Sequence, residues 1–108
     1  MRLYLPATLE LLAQWHAAGE VAATEDAFEA PDDTEEGEYA ALMSAADASA
    51  ALGGRGGRRV VLVLDGALSP YPVTSWAAVH ADVSDRGADA DPDEDLGWFA
   101  IPEIPDLL

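Results

Sequence analysis

Apolar and polar positions change period several times along this chain, and each change marks an element. Arg2 to Pro6 alternates, with Leu3 and Leu5 on one face and Tyr4 on the other, which predicts a first strand that stops at Pro6. Thr8 is placed to cap a helix, Glu10 lies near its positive end, and Leu12 and Trp15 recur at helical spacing before Gly19, a good terminator. Asp26 to Ala30 reads as a short strand around Phe28. From Pro31 the pattern PDDTEEGEYAALMSAADASAALGG gives the strongest helix signal. Asp32 with Glu35, or Asp33 with Glu36, has capping-box spacing. Tyr39, Leu42, Met43, Ala46 and Ala50 mark the expected inner face, and Gly53 or Gly54 the stop.

The second half reads as strands. RGGRR is a flexible basic connection, and Val60 to Leu64 follows as a run apolar on both sides, which places it centrally in a covered sheet. Ala67 to Ser75, broken by Pro70 and Pro72, is a loop or short edge element. Trp76 to Ser84 predicts another strand, DRGADADPDED a polar loop, and Trp98 to Ile101 a last strand. Pro102 and Pro105 leave the tail kinked, extended or briefly helical. The expectation is one α/β domain over residues 1–108, in the order β-α-β-α-β-β-β, with a mixed sheet and helices on at least one face.

Charge narrows the function classes. Five Lys/Arg stand against twenty-one Asp/Glu, a formal charge of -16 on 108 residues, and such a surface repels nucleic-acid backbones and anionic membranes. There is no cysteine, so disulfides, thiolate nucleophiles and cysteine-based metal sites are excluded. No run of about twenty apolar residues exists to span a membrane, and MRLYLPATL lacks the apolar stretch of a signal peptide. Together these point to a cytoplasmic protein. The bulky apolar residues, Val83 and Trp98 among them, are few enough that pairing with a second copy would supplement the core.

Several residue groups invite chemistry. Asp89, Asp91 and Asp93 have the one-three-five spacing of a calcium loop, but Glu94 stands where the turn needs glycine and Ala100 where a bidentate carboxylate belongs. Asp32, Asp33, Glu35 and Glu36 are explained by helix capping. His80 and Asp82 share a strand face and form a candidate acid/base pair, with Ser69, Ser75 or Ser84 as nucleophiles if folding brings one close; no nucleophile-elbow pattern supports them. Gly53, Gly54, Gly56 and Gly57 with Arg55, Arg58 and Arg59 suit an anion contact, yet lack the phosphate-loop lysine and hydroxyl. Trp15 and Trp76 read as core. Trp98, Phe99, Ile101, Ile104 and Leu107 are candidate interface anchors that equally suit packing onto the chain's own sheet. No motif calls for a cofactor.

The segments MRLYLPATLELL, Ala27–Phe28, EGEYAALMSAADASA, RRVVLVLD, WAAVHADV and LGWFAIPEIPDLL, in that order, resemble an actinobacterial family of small proteins described only as a domain of unknown function. The resemblance implies a cytosolic α/β domain and carries over no catalytic residue. Relatives of this type often carry a longer segment before the long helix and a helix before the terminal strand. PDDTEEG and DRGADADPDED are short by comparison, which implies a thinner helical layer and a more exposed sheet. The leading functional expectation is a non-enzymatic domain contacting a protein partner, another copy included. The alternatives are a small hydrolase or ligand-binding enzyme using His80 and nearby carboxylates, and weak divalent-cation binding.

Overall fold

The computed structural model describes residues 2–22, 26–67, 69–87 and 89–108. Its centre is strand β4 (Val60–Asp65), third in a five-stranded sheet of order β3-β1-β4-β6-β7. The others are β1 (Arg2–Ala7), β3 (Phe28–Glu29), β6 (Trp76–Ala81) and β7 (Gly97–Phe99). A two-stranded sheet joins β2 (Glu20–Val21) to β5 (Tyr71–Pro72). The helices are α1 (Leu9–Ala18), α2 (Glu35–Ala51) and the short α3 (Ile104–Leu107).

The double-sided apolar run does what its pattern requires. Val60, Leu62 and Leu64 face a core shared with Leu5, Leu9, Leu12, Val79 and Ile104, while Val61 and Val63 face Tyr4, Ala41, Ala45 and Ala46. Helices α1 and α3 cover the first face and α2 the second. All five side chains of Val60–Leu64 are sealed from water, each contributing roughly 1.5–3 kcal/mol of transfer free energy. The sheet is antiparallel in every ladder rather than mixed. Neighbouring strands meet end to start: β1 ends at Ala7 opposite Val60, where β4 begins, and β6 ends at Ala81 opposite Gly97, where β7 begins. Strands β3 and β4 both run antiparallel to the β1 between them, so α2 crosses over to join two parallel strands that do not pair.

Thr8 and Gly19 cap α1 as the sequence implies: Thr8 Oγ1 accepts from Leu11 N at 3.1 Å, and Gly19 adopts φ 78°. Other boundaries move. Strand β1 continues through Pro6 to Ala7, because Leu5–Ala7 pair with β4 alone, where a missing N–H costs least. The cap of α2 is Thr34, not Asp32 or Asp33. Thr34 Oγ1 accepts from Gly37 N at 3.0 Å, and Asp32 is bonded to Thr34 through both its hydroxyl and its N–H.

The inner face of α2 is also turned from the expected stripe, of which Ala46 alone is fully buried. Gly37, Ala41, Ala45, Ala46 and Ser49 are buried, Leu42 and Met43 are partly so, and Tyr39 and Ala50 face solvent. Small residues let the helix lie close to the sheet, and Ser49 uses that proximity. Its Oγ donates to Ala7 O at 2.6 Å and accepts from Val60 N at 2.8 Å, satisfying the end of β1 and the start of β4 together. Strand β6 stops at Ala81 rather than Ser84, and Val83 is exposed, because Asp82 turns away toward an arginine.

Candidate functional site

RGGRR is not a loose connection. Arg59 is 1% exposed. Its Nε and Nη2 both reach the Asp82 carboxylate at 2.9 Å, its own N–H donates to Asp82 Oδ2 at 2.8 Å, and Nη1 and Nη2 donate to the carbonyls of Pro92 (3.2 Å) and Glu94 (2.8 Å). Arg86 approaches the same carboxylate at 3.6 Å and donates to Asp91 O at 2.6 Å. Arg58 pairs with Asp85 at 3.1 Å. Burial pushes the Asp82 carboxyl up, but its hydrogen bonds from Arg59 and the charges of Arg59 and Arg86 outweigh this and hold it below the ordinary value. The bond to Asp82 likewise raises the Arg59 pKa against burial. The arginines thus fasten residues 82–96, a stretch with no helix or strand among its described residues, and set the start of β7.

Asp82, the expected partner of His80, has its carboxylate held by Arg59, and Ser69, Ser75 and Ser84 do not line the groove that holds His80. Ser75 donates locally to Pro72 O at 2.7 Å. What the fold brings together instead is His80 and Trp98, register partners on β6 and β7. Both lie on the α2 side of the sheet, where the register groups them with Val61 and Val63. Helix α2 packs chiefly over β3, β1 and β4; Ala78 of β6 is buried beneath it, while an open groove lies beside it at His80 and Trp98. Trp98 is 61% exposed there.

An open groove of about 320 Å³ runs between Trp98 and the first turns of α2. Arg2, Tyr4 and His80 contribute from the sheet, and Glu35, Glu38, Tyr39 and Leu42 from the helix. Arg2 is already paired with Asp65 at 3.0 Å. Tyr39 donates to Asp95 Oδ1 at 2.9 Å, which raises its pKa. Burial, helped by the Glu38 charge, raises that of Tyr4. Burial alone depresses the His80 pKa, favouring the neutral ring. The result is an aromatic face with a negative rim.

The remaining candidates separate. Ile104 is fully buried, and Phe99, Ile101 and Leu107 pack against the same core as Leu12 and Val79, so this part of the tail closes the domain's own α1 face. Trp76 is buried and donates from Nε1 to Tyr71 O at 3.0 Å. Asp91 Oδ1 accepts from Asp93 N at 2.9 Å in a local turn. Among the described residues, no three His, Asp or Glu side chains gather closely enough to hold a metal ion, and no helix is long and apolar enough to cross a membrane. A larger apolar cleft of about 490 Å³ opens where β3 stops pairing with β1, between Trp15, Phe28 and Leu52. Neither it nor the groove was visible in sequence, because each joins residues from three or more elements.

No curated protein and no solved structure matched the chain. One family model matches residues 1–108, the whole sequence, and the chain therefore belongs to the Family of unknown function (DUF6912).

Proposed function

We propose that this chain is a cytoplasmic, non-enzymatic protein-interaction domain that docks its partner along β7 and the groove beside it. The observation that carries the reading is Trp98: a large aromatic side chain, 61% exposed, on the outermost strand of the sheet. Folding leaves it in water, whereas aromatic anchors of this kind dominate interface energetics. The outer edge of β7 has no strand partner among the described residues, and an open edge offers main-chain hydrogen bonds to an added strand. The partner is a protein segment, with a second copy of the chain as the self-associating version.

Two measurements test this. Light scattering across concentration and ionic strength reads self-association, which the charge of -16 opposes at low salt and screening permits at high salt. Selection of random peptides on the wild-type chain, with counter-selection on W98A, reads docking of another partner. A strict monomer in every condition, together with no Trp98-dependent peptide, overturns the reading.

A further inference from the structure

We infer that the segment docking on β7 is a basic one, alternating Arg or Lys with aliphatic residues and added to the sheet as a sixth strand. This rests on the docking reading above and adds the chemistry of the partner.

Alternation follows from the register. Trp98 stands on the α2 side of β7 beside His80, while Phe99 turns to the opposite face and packs against the α1-side core. A strand laid along this edge sends successive side chains to the same two faces. On one face they meet Phe99 and the apolar core margin, which suits an aliphatic side chain.

On the other face they meet the exposed indole, with Glu35 and Glu38 lining the same groove and Asp95 accepting from the groove residue Tyr39. Arg2, the cation lining the groove, is engaged by Asp65, so the rim keeps its negative charge. A guanidinium or ammonium over Trp98 gains the ring's quadrupole and the carboxylates together. The same charge complementarity speeds encounter and disfavours a second copy of this acidic chain as the occupant.

The test uses the whole chain and a fluorescein-labelled decapeptide alternating arginine and valine, with binding read by anisotropy at physiological salt. The W98A variant is expected to bind at least tenfold more weakly, and W98F to retain most of the affinity. E35Q/E38Q is expected to weaken binding several-fold more than E20Q/D106N, which removes the same charge from exposed positions outside the groove. Methylating alternate peptide nitrogens on the strand-pairing edge is expected to abolish binding.

Equal losses in E35Q/E38Q and E20Q/D106N, with none in W98A, overturn the inference, since attraction to the acidic surface is then diffuse. A glutamine–valine decapeptide that binds as tightly as the arginine one, and as dependently on Trp98, overturns cation recognition while leaving the docking reading standing. Binding that survives backbone methylation overturns the added strand.

Discussion

Arg59 and Asp82 form a two-pronged ion pair, 2.9 Å on each prong, with side-chain exposures of 1% and 9%. The pair joins the residue just before β4 to the residue just after β6, and the two remaining guanidinium bonds hold the carbonyls of Pro92 and Glu94. A segment that sequence reads as a flexible basic connection thereby fastens the stretch leading into β7.

Removing one member is expected to cost more than removing both. D82A strands a sealed guanidinium, at about 3–5 kcal/mol, a large share of the roughly 5–15 kcal/mol available to a small domain. Because the clamp fixes residues 82–96, the same variant should loosen β7 and reduce peptide docking beyond what global stability predicts. R59M/D82L replaces the pair with apolar volume and should recover most of the loss. Urea unfolding of the singles and the double forms the cycle; a double mutant as unstable as D82A would contradict it.

Two groups with depressed pKa act in separate pH windows. His80, neutralised by burial, is protonated more readily in the unfolded chain, so its contribution is complete above about pH 6.5 and falls as pH drops through the folded value. Asp82 contributes above about pH 4, and that stability is lost only as acid protonates the carboxyl through its lowered folded pKa. H80F should flatten the fall in stability that begins below about pH 6.5 and leave the acid limb; D82N should do the reverse. Denaturation midpoints measured from pH 3 to 8 separate the two.

Ser49 carries a similar burden without charge. In S49A, Ala7 O and Val60 N–H each lose a buried partner, at roughly 1–3 kcal/mol per group. S44A removes a hydroxyl from the same helix at an exposed position and is expected to change stability by less than about 0.5 kcal/mol. Amide exchange at Val60 should rise selectively in S49A; equal behaviour of the two variants would remove the bridging role.

These contacts show where sequence reasoning reached and where it stopped. Val60–Leu64 was legible because its apolar run is continuous, and Thr8 and Gly19 because capping is local. The inner face of α2 was placed partly wrong: Ala46 is buried as expected, but the sheet selects Ala41, Ala45 and Ser49 beside it for closeness, where Tyr39 and Ala50 were expected. Arg59 was illegible: nothing in RGGRR distinguishes it from Arg58, and only the return of residues 82–94 supplies its carboxylate and carbonyls. His80 and Trp98 were each noticed, but their adjacency depends on a register that spans the polar loop.

Gly56 tests how tightly that loop is held. It sits at φ 65°, and a Cβ there would collide with the Asp85 side chain, while its carbonyl accepts from Arg86 N at 2.6 Å. Gly53 has a similar φ, 71°, with nothing near its absent Cβ. G53A should therefore show only the backbone penalty, about 1–2 kcal/mol. G56A should cost more, and D85A/G56A should return toward the G53A value. Thermal unfolding of the three variants decides the matter, and equal losses in G53A and G56A would mean that the two loops are not interlocked.

The tryptophans of β6 and β7 should separate folding from docking. Trp76 is buried and hydrogen-bonded to Tyr71 O, so W76A is expected to lose about 3–5 kcal/mol. Trp98 shares its register position with His80 but leaves most of its surface in water, so W98S should change stability by less than about 1 kcal/mol. Acrylamide, being neutral, reaches an exposed indole regardless of the acidic surface, and W98S should remove most of the quenchable fluorescence. A large loss of stability in W98S would place the side chain in the core and withdraw the main reason for reading this face as an interface.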